Sequence, residues 1–147
     1  MRAWVALILL GLPALAAPVP KELKNKRDLD RIAGSWVVVA HCNGGGKIVP
    51  GDGGIWKFDS SGNASVHLKD AAPRDGVKFE LGEAGASKTF DWVAPWGEWY
   101  GVYELNDDTL TTYMSRKSAR GKEGRHMELK TGPDVEMNRY QRSSLIK

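Results

Sequence analysis

From Gly34 onward, runs rich in Val, Trp, Phe, Tyr and Thr are separated by Gly, Asn, Asp and Pro at intervals of roughly eight to twelve residues. This rhythm is typical of an all-β domain, because β-branched and aromatic side chains favour strands and the separating residues favour turns. It predicts eight strands, over residues 35–42, 54–59, 64–69, 77–81, 89–93, 98–105, 109–115 and 135–142. A short ninth strand over 126–130 is an alternative.

The connections between these runs predict how the strands are arranged. Residues 60–63 and 106–108 are rich in Gly, Asn and Asp, which tolerate the backbone of tight hairpin turns, so consecutive strands should pair antiparallel. Before the first strand, residues 22–32 carry Leu23, Leu29 and Ile32 among charged residues at helical spacing and predict a short helix.

Alternation predicts one apolar and one wet face for the strands over 54–59, 64–69 and 77–81. Trp56 and Phe58 lie on the side opposite Lys57, for example. A sheet with one apolar face must cover it, and closure into a barrel also removes exposed edges. We therefore expect an antiparallel up-and-down β-barrel of eight strands, or nine with the alternative strand. Six aromatic residues should point inward, namely Trp36, Trp56, Phe58, Phe79, Phe90 and Trp92.

The first residues predict export. Arg2 is followed by an apolar run and then by small residues around Ala14 and Ala16, the order of a secretory signal peptide. We predict a signal over 1–16, an N-terminal segment with the helix over 17–33, the barrel over 34–142 and a tail over 143–147. The mature protein should be periplasmic or secreted, without a membrane span. A net charge of only +3 argues against a nucleic-acid partner.

A short motif connects the helix to the first strand. Gly34-Ser35-Trp36 resembles the Gly-x-Trp signature of lipocalins, whose Trp plugs the closed end of the barrel. The resemblance implies that an Arg of the last strand covers this indole through a cation–π contact, and both Arg139 and Arg142 are placed to do so.

A wider resemblance covers about residues 29–142. It is carried by Gly34 to Val39, Trp56-Lys57-Phe58, Gly101 to Leu105 and Asp108-Thr109-Leu110. With these motifs in this order, the chain is similar to a small exported lipocalin-like domain family of planctomycete type, whose function is uncharacterised. The resemblance implies a lipocalin-like fold and an extracytoplasmic location, and it carries over no catalytic residue.

Motifs for catalysis, metals and nucleotides are missing from the sequence. Gly44 to Lys47 lacks the hydroxyl residue and the following helix of a phosphate-binding loop. His41, His67 and His126 fall on separate segments, and alternation predicts that His41 and His67 point outward. No Gly-x-Ser-x-Gly elbow is present. We therefore predict no catalytic residue, no metal, no cofactor and no enzymatic activity.

Two functions remain open for such a barrel. In the first, the interior binds a small apolar or aromatic ligand, in contact with Trp56, Phe58, Val66, Leu68, Phe79, Phe90 and Trp92. In the second, the interior is solid and the outer surface or the loops 43–53 and 117–124 bind an envelope protein or polymer. Trp96 and Trp99 could form an exposed aromatic rim that stacks on a sugar or an apolar partner, although packing at the barrel end explains them equally well.

Overall fold

The computed structural model describes residues 21–44, 46–116 and 121–143. The predicted signal peptide and the tail beyond Ser143 lie outside this range. Among the described residues, helix α1 precedes nine strands, and a 3₁₀ turn, Gly121–Gly124, precedes the last strand. The elements are α1 Lys21–Ile32, β1 Gly34–Cys42, β2 Val49–Pro50, β3 Ile55–Phe58, β4 Asn63–His67, β5 Arg74–Ala84, β6 Ser87–Ala94, β7 Gly97–Leu105, β8 Thr109–Arg116 and β9 Val135–Arg142.

The predicted barrel is confirmed. Strands β3 to β9 each pair antiparallel with the next, and β1 pairs with both β3 and β9, which closes an eight-stranded up-and-down barrel. Each of the eight predicted strands and the predicted helix corresponds to an element of the structure. The helix is short, and no helix among the described residues is long and apolar enough to span a membrane.

The ninth strand lies elsewhere than predicted. It is β2, which pairs with β1 through Ala40 and His41. The alternative strand over 126–130 is wrong, because this segment is irregular and folds back on itself: His126 Nε2 donates a hydrogen bond to the Lys130 carbonyl at 3.0 Å.

A bulge in β1 changes which residues face inward. The register against β9 shifts between Val38 and Ala40, so Val39 is an extra residue. Gly51 lies against the bulge, where a Cβ atom would come within 2.1 Å of the Val38 carbonyl oxygen. Beyond the bulge, His41 pairs with Asn138 on the inward face, and its predicted outward orientation is therefore wrong.

Aromatic side chains fill one half of the barrel. Phe79 lies 5.2 Å from Phe58 and 5.5 Å from Phe90, measured between ring centroids. All three are buried, and the core continues toward α1 with Trp36 and Ile32, both fully buried. We call this half, where α1 lies, the closed end. All six aromatic residues predicted to face inward belong to the core.

The outer face is wet on only part of the barrel. Lys57, Lys78 and Glu80 on β3 and β5 are exposed, as predicted. On β6 to β9, however, outward residues such as Asp91 and Val102 are buried. Residues 121–134, which we call the outer segment, contact this side through Lys122 and Arg125, both of which pair with Asp91. The outer face of β6 to β9 is therefore wet only in part, as at Arg139 and Gln141 of β9.

A polar cluster docks α1 onto the closed end. The buried Asp28 carboxylate accepts hydrogen bonds from Lys88 Nζ and from the Tyr103 hydroxyl, each at 2.7 Å, and Arg31 Nη1 lies 3.4 Å away. Burial raises the pKa of Asp28, but the hydrogen bonds from Lys88 and Tyr103 and the charges of Lys88 and Arg31 outweigh it. The pKa of Asp28 is therefore lower in the folded protein than its ordinary value of 3.8.

This lowered pKa predicts acid sensitivity. The stabilisation is complete above pH 3.8, the ordinary pKa, and is lost as the pH falls through the lower folded-state pKa. Asp28→Asn should lower the free energy of unfolding by about 1–3 kcal/mol at pH 7, because hydrogen bonds to a charged group are lost. Urea unfolding at pH 7 and at lower pH measures both effects, with the exposed Asp30→Asn as control. Equal losses in the two variants would contradict the docking role of Asp28.

Candidate functional site

The end of the barrel opposite α1 opens into a cavity of about 320 Å³, which we call the mouth cavity. Residues from the open ends of β1, β3, β4, β5, β6 and β9 and from the adjoining loops surround it. The lining comprises Val38, His41, Asn43, Asp52, Trp56, Val66, Leu68, Arg74, Trp92, Trp96, Glu136 and Asn138. This volume lies near the lower limit of typical small-ligand pockets.

Two indoles form the floor of the mouth cavity. The ring centroids of Trp56 and Trp92 are 4.6 Å apart, and Val66 and Leu68 extend the apolar surface beside them. Val66 is the cross-strand partner of Trp56 and therefore shares its inward side. Four of the seven residues predicted to contact a ligand thus meet at this cavity.

The other three predicted contact residues lie deeper. Phe58, Phe79 and Phe90 pack against one another in the closed half, and none of them lines the mouth cavity. The predicted set therefore divides at the Trp56–Trp92 pair, with packed aromatic rings below it and the cavity above it.

Trp96 and Trp99 differ in exposure. Trp96 is 38 % exposed in the turn between β6 and β7, and the Arg74 guanidinium lies 5.6 Å from its ring centroid. Trp99 is buried, because it pairs with Trp92 across the two strands and shares its inward side. Its Nε1 donates a hydrogen bond to Glu136 Oε1 at 3.0 Å. The predicted exposed rim is therefore Trp96 alone.

The walls of the mouth cavity carry polar residues that were not predicted from the sequence as site residues. They are His41, Asn43, Asp52, Arg74, Glu136 and Asn138. Alternation along β9 could have revealed two of them, because Glu136 and Asn138 share a side with the inward Tyr140. His41 turns inward only because of the bulge in β1.

Two carboxylates of the cavity wall affect the pKa of Tyr140, which lies beneath the cavity floor. The Tyr140 ring packs edge-on against Trp56, with 6.2 Å between the ring centroids. Burial raises the pKa of the Tyr140 hydroxyl, and the charges of Glu136 and Asp52 raise it further. The charged groups at the mouth are therefore the wall residues Asp52, Arg74 and Glu136.

One buried donor below the surface of the cavity floor lacks a partner. Trp92 is only 7 % exposed, and its Nε1–H has no hydrogen-bond acceptor within the described part of the chain. A buried donor that is left unpaired destabilises the protein by about 1–3 kcal/mol. Because the Nε1 atom is also inaccessible to water, this donor does not open onto the cavity.

The closed end settles which arginine covers Trp36. The guanidinium carbon of Arg142 lies 4.4 Å from the Trp36 ring centroid, whereas Arg139 is exposed on the outer face. Trp36 Nε1 donates a hydrogen bond to the Ile32 carbonyl at 2.6 Å. Gly34 adopts a φ of 126°, and a Cβ there would lie 3.1 Å from Arg142 Nη1, so glycine leaves room for the arginine.

Comparisons with known proteins add no assignment. No protein-family model matches the chain, and no curated protein and no solved structure matches it. Within the described residues, no group of three or more His, Cys, Asp or Glu side chains is arranged to hold a metal ion.

Proposed function

We propose that the chain is an exported, non-enzymatic lipocalin-like protein that binds one small ligand in the mouth cavity. The observation that carries the proposal is the cavity above the Trp56–Trp92 pair, whose walls carry the polar residues named above. Pockets of this kind combine apolar and aromatic surface with a few polar groups that orient the ligand.

The lining supports a ligand with two kinds of surface. An apolar or aromatic face packs on the indoles of Trp56 and Trp92, and polar groups of the ligand meet Asn43 and Asn138 in the walls. A wholly apolar ligand is disfavoured, because it would remove water from Asp52, Glu136 and Arg74 without replacing the lost hydrogen bonds.

The lipocalin-like and export parts of the proposal have separate support. The Gly34-Ser35-Trp36 motif adjoins the helix, and Arg142 covers its indole as the resemblance implies. Export follows from the apolar leader over 1–16. N-terminal sequencing of the protein recovered from outside the cytoplasm should begin at Ala17, and recovery of the intact leader would contradict export.

Indole NMR signals test binding at the mouth. In a screen of small aromatic and polar compounds against the ¹⁵N-labelled protein, a ligand should shift the indole N–H signals of Trp92 and Trp96. The Trp36 indole is the internal control, because it donates to Ile32 at the closed end and should not shift. Shifts confined to exposed positions of the outer segment, or no shift with any compound, would contradict the proposal.

A further inference from the structure

We infer that the ligand of the mouth cavity is a neutral pyranose sugar, held on the indoles by its C–H face and on the walls by its hydroxyl groups. This inference rests on the proposed function and names the ligand class for the same site. It differs from the sequence-based expectation of an apolar or aromatic ligand.

The balance of donors and acceptors in the walls supports a polyhydroxylated ligand. Asn43 and Asn138 each offer both a donor and an acceptor, because an amide carries an NH₂ and a carbonyl group. Asp52 and Glu136 supply acceptors, and Arg74 supplies donors. Each hydroxyl of a sugar is one donor and also an acceptor, so it can bond to either kind of group.

The charges in the walls argue against an ionic ligand. Two carboxylates, Asp52 and Glu136, share the lining with the Arg74 guanidinium, so a ligand of either sign would meet a like charge. Both carboxylates also already accept one protein hydrogen bond, Asp52 Oδ1 from the Gly54 N–H at 2.8 Å and Glu136 Oε1 from Trp99. A neutral ligand avoids the desolvation penalty of a further charge.

The aromatic groups complete the complementarity. Trp56 and Trp92 present an apolar floor, and Trp96 stands half-exposed at the rim, where it can pack against one side of a ring. The cavity opens to solvent, so a free sugar and the terminal sugar of a glycan present the same chemistry.

Titration calorimetry with defined probes tests the inference. The probes are the methyl glycosides of glucose, galactose, mannose and N-acetylglucosamine, and 2-phenylethanol is the aromatic comparison. At least one glycoside should bind with a Kd of about 1 mM or tighter, the affinity expected of a small ligand, and should shift the Trp92 indole signal. Binding of 2-phenylethanol should be weaker by about tenfold or more.

Matched variants locate the binding. Asn138→Ala and Trp96→Ala should each weaken glycoside binding by about fivefold or more, through loss of a hydrogen bond and of ring contact respectively. Asn106→Ala, in the exposed turn at the closed end, and Leu129→Ala, exposed in the outer segment, are the controls and should leave the affinity unchanged. Equal effects in a variant and its control would overturn the assignment of the sugar to this cavity.

The outcomes separate this inference from the proposed function. If 2-phenylethanol shifts the Trp92 signal and no glycoside binds, the sugar inference is overturned and small-ligand binding at the mouth stands. If no probe binds, both fall. An oligosaccharide ending in the same sugar that binds tighter than its methyl glycoside identifies a glycan terminus as the source, and equal affinity identifies the free sugar; both results support the inference.

Discussion

Arg125→Ala is expected to lower the free energy of unfolding by about 3–4 kcal/mol, because the substitution leaves a buried carboxylate without its main partner. Asp91 lies on the outer face of β6 and is 5 % exposed. Arg125 Nε donates to Asp91 Oδ1 at 3.0 Å, and Nη2 donates to Oδ2. Lys122 Nζ, 3.3 Å from Asp91 Oδ2, is half-exposed and compensates only in part.

Urea unfolding followed by tryptophan fluorescence measures the loss. Glu128→Gln is the control, because Glu128 and Lys130 form an exposed ion pair, and this variant should change stability by less than about 1 kcal/mol. Replacing Asp91 and Arg125 together by leucine should be less destabilising than Arg125→Ala, since no buried charge then remains unpaired. A loss below about 1 kcal/mol in Arg125→Ala would show that the outer segment is not docked through this pair.

Much of the barrel could be predicted because its strands obey local rules. In β3 to β5 the pattern of inward and outward residues follows directly from alternation, as at Trp56 and Lys57. The closed end was also predictable, since Gly34 and Trp36 form a recognisable motif. The choice between Arg139 and Arg142 was not, because it depends on the register of β9 against β1, and both residues lie in the same strand.

The mouth cavity was predictable only in part, for two physical reasons. The bulge at Val39 turns the His41 side chain to the inward face. Strict alternation along the sequence cannot predict this, because a bulge is defined by the pairing with the neighbouring strand. The aromatic residues of the core all alternate with outward residues in the same way, so the sequence does not distinguish their depth along the barrel axis. Trp92 lines the mouth cavity and Phe90 does not, and this difference depends on how the eight strands are staggered. The burial of Asp91 could not be predicted either, because it depends on contact with Arg125 of the outer segment, which is distant in sequence.

Arg142→Ala is expected to lower the free energy of unfolding by about 2–3 kcal/mol and to loosen α1 from the closed end. The substitution removes the cation–π contact with Trp36 and two hydrogen bonds to the end of the helix. Arg142 Nη1 donates to the Ala33 carbonyl at 3.1 Å, and Nη2 donates to the Arg31 carbonyl. Through these contacts one side chain joins β9, α1 and the buried indole.

Two arginine comparisons make this prediction specific. Arg139→Ala removes the same kind of residue from the same strand, but its side chain is exposed on the outer face, so stability should change by less than about 0.5 kcal/mol. Arg142→Lys should be intermediate, because lysine keeps the charge and loses the planar fork that reaches two carbonyls. Hydrogen exchange should quicken in α1 of Arg142→Ala before it does in β6 and β7. Uniform acceleration across the barrel, or equal losses in the two alanine variants, would show that Arg142 does not hold the helix.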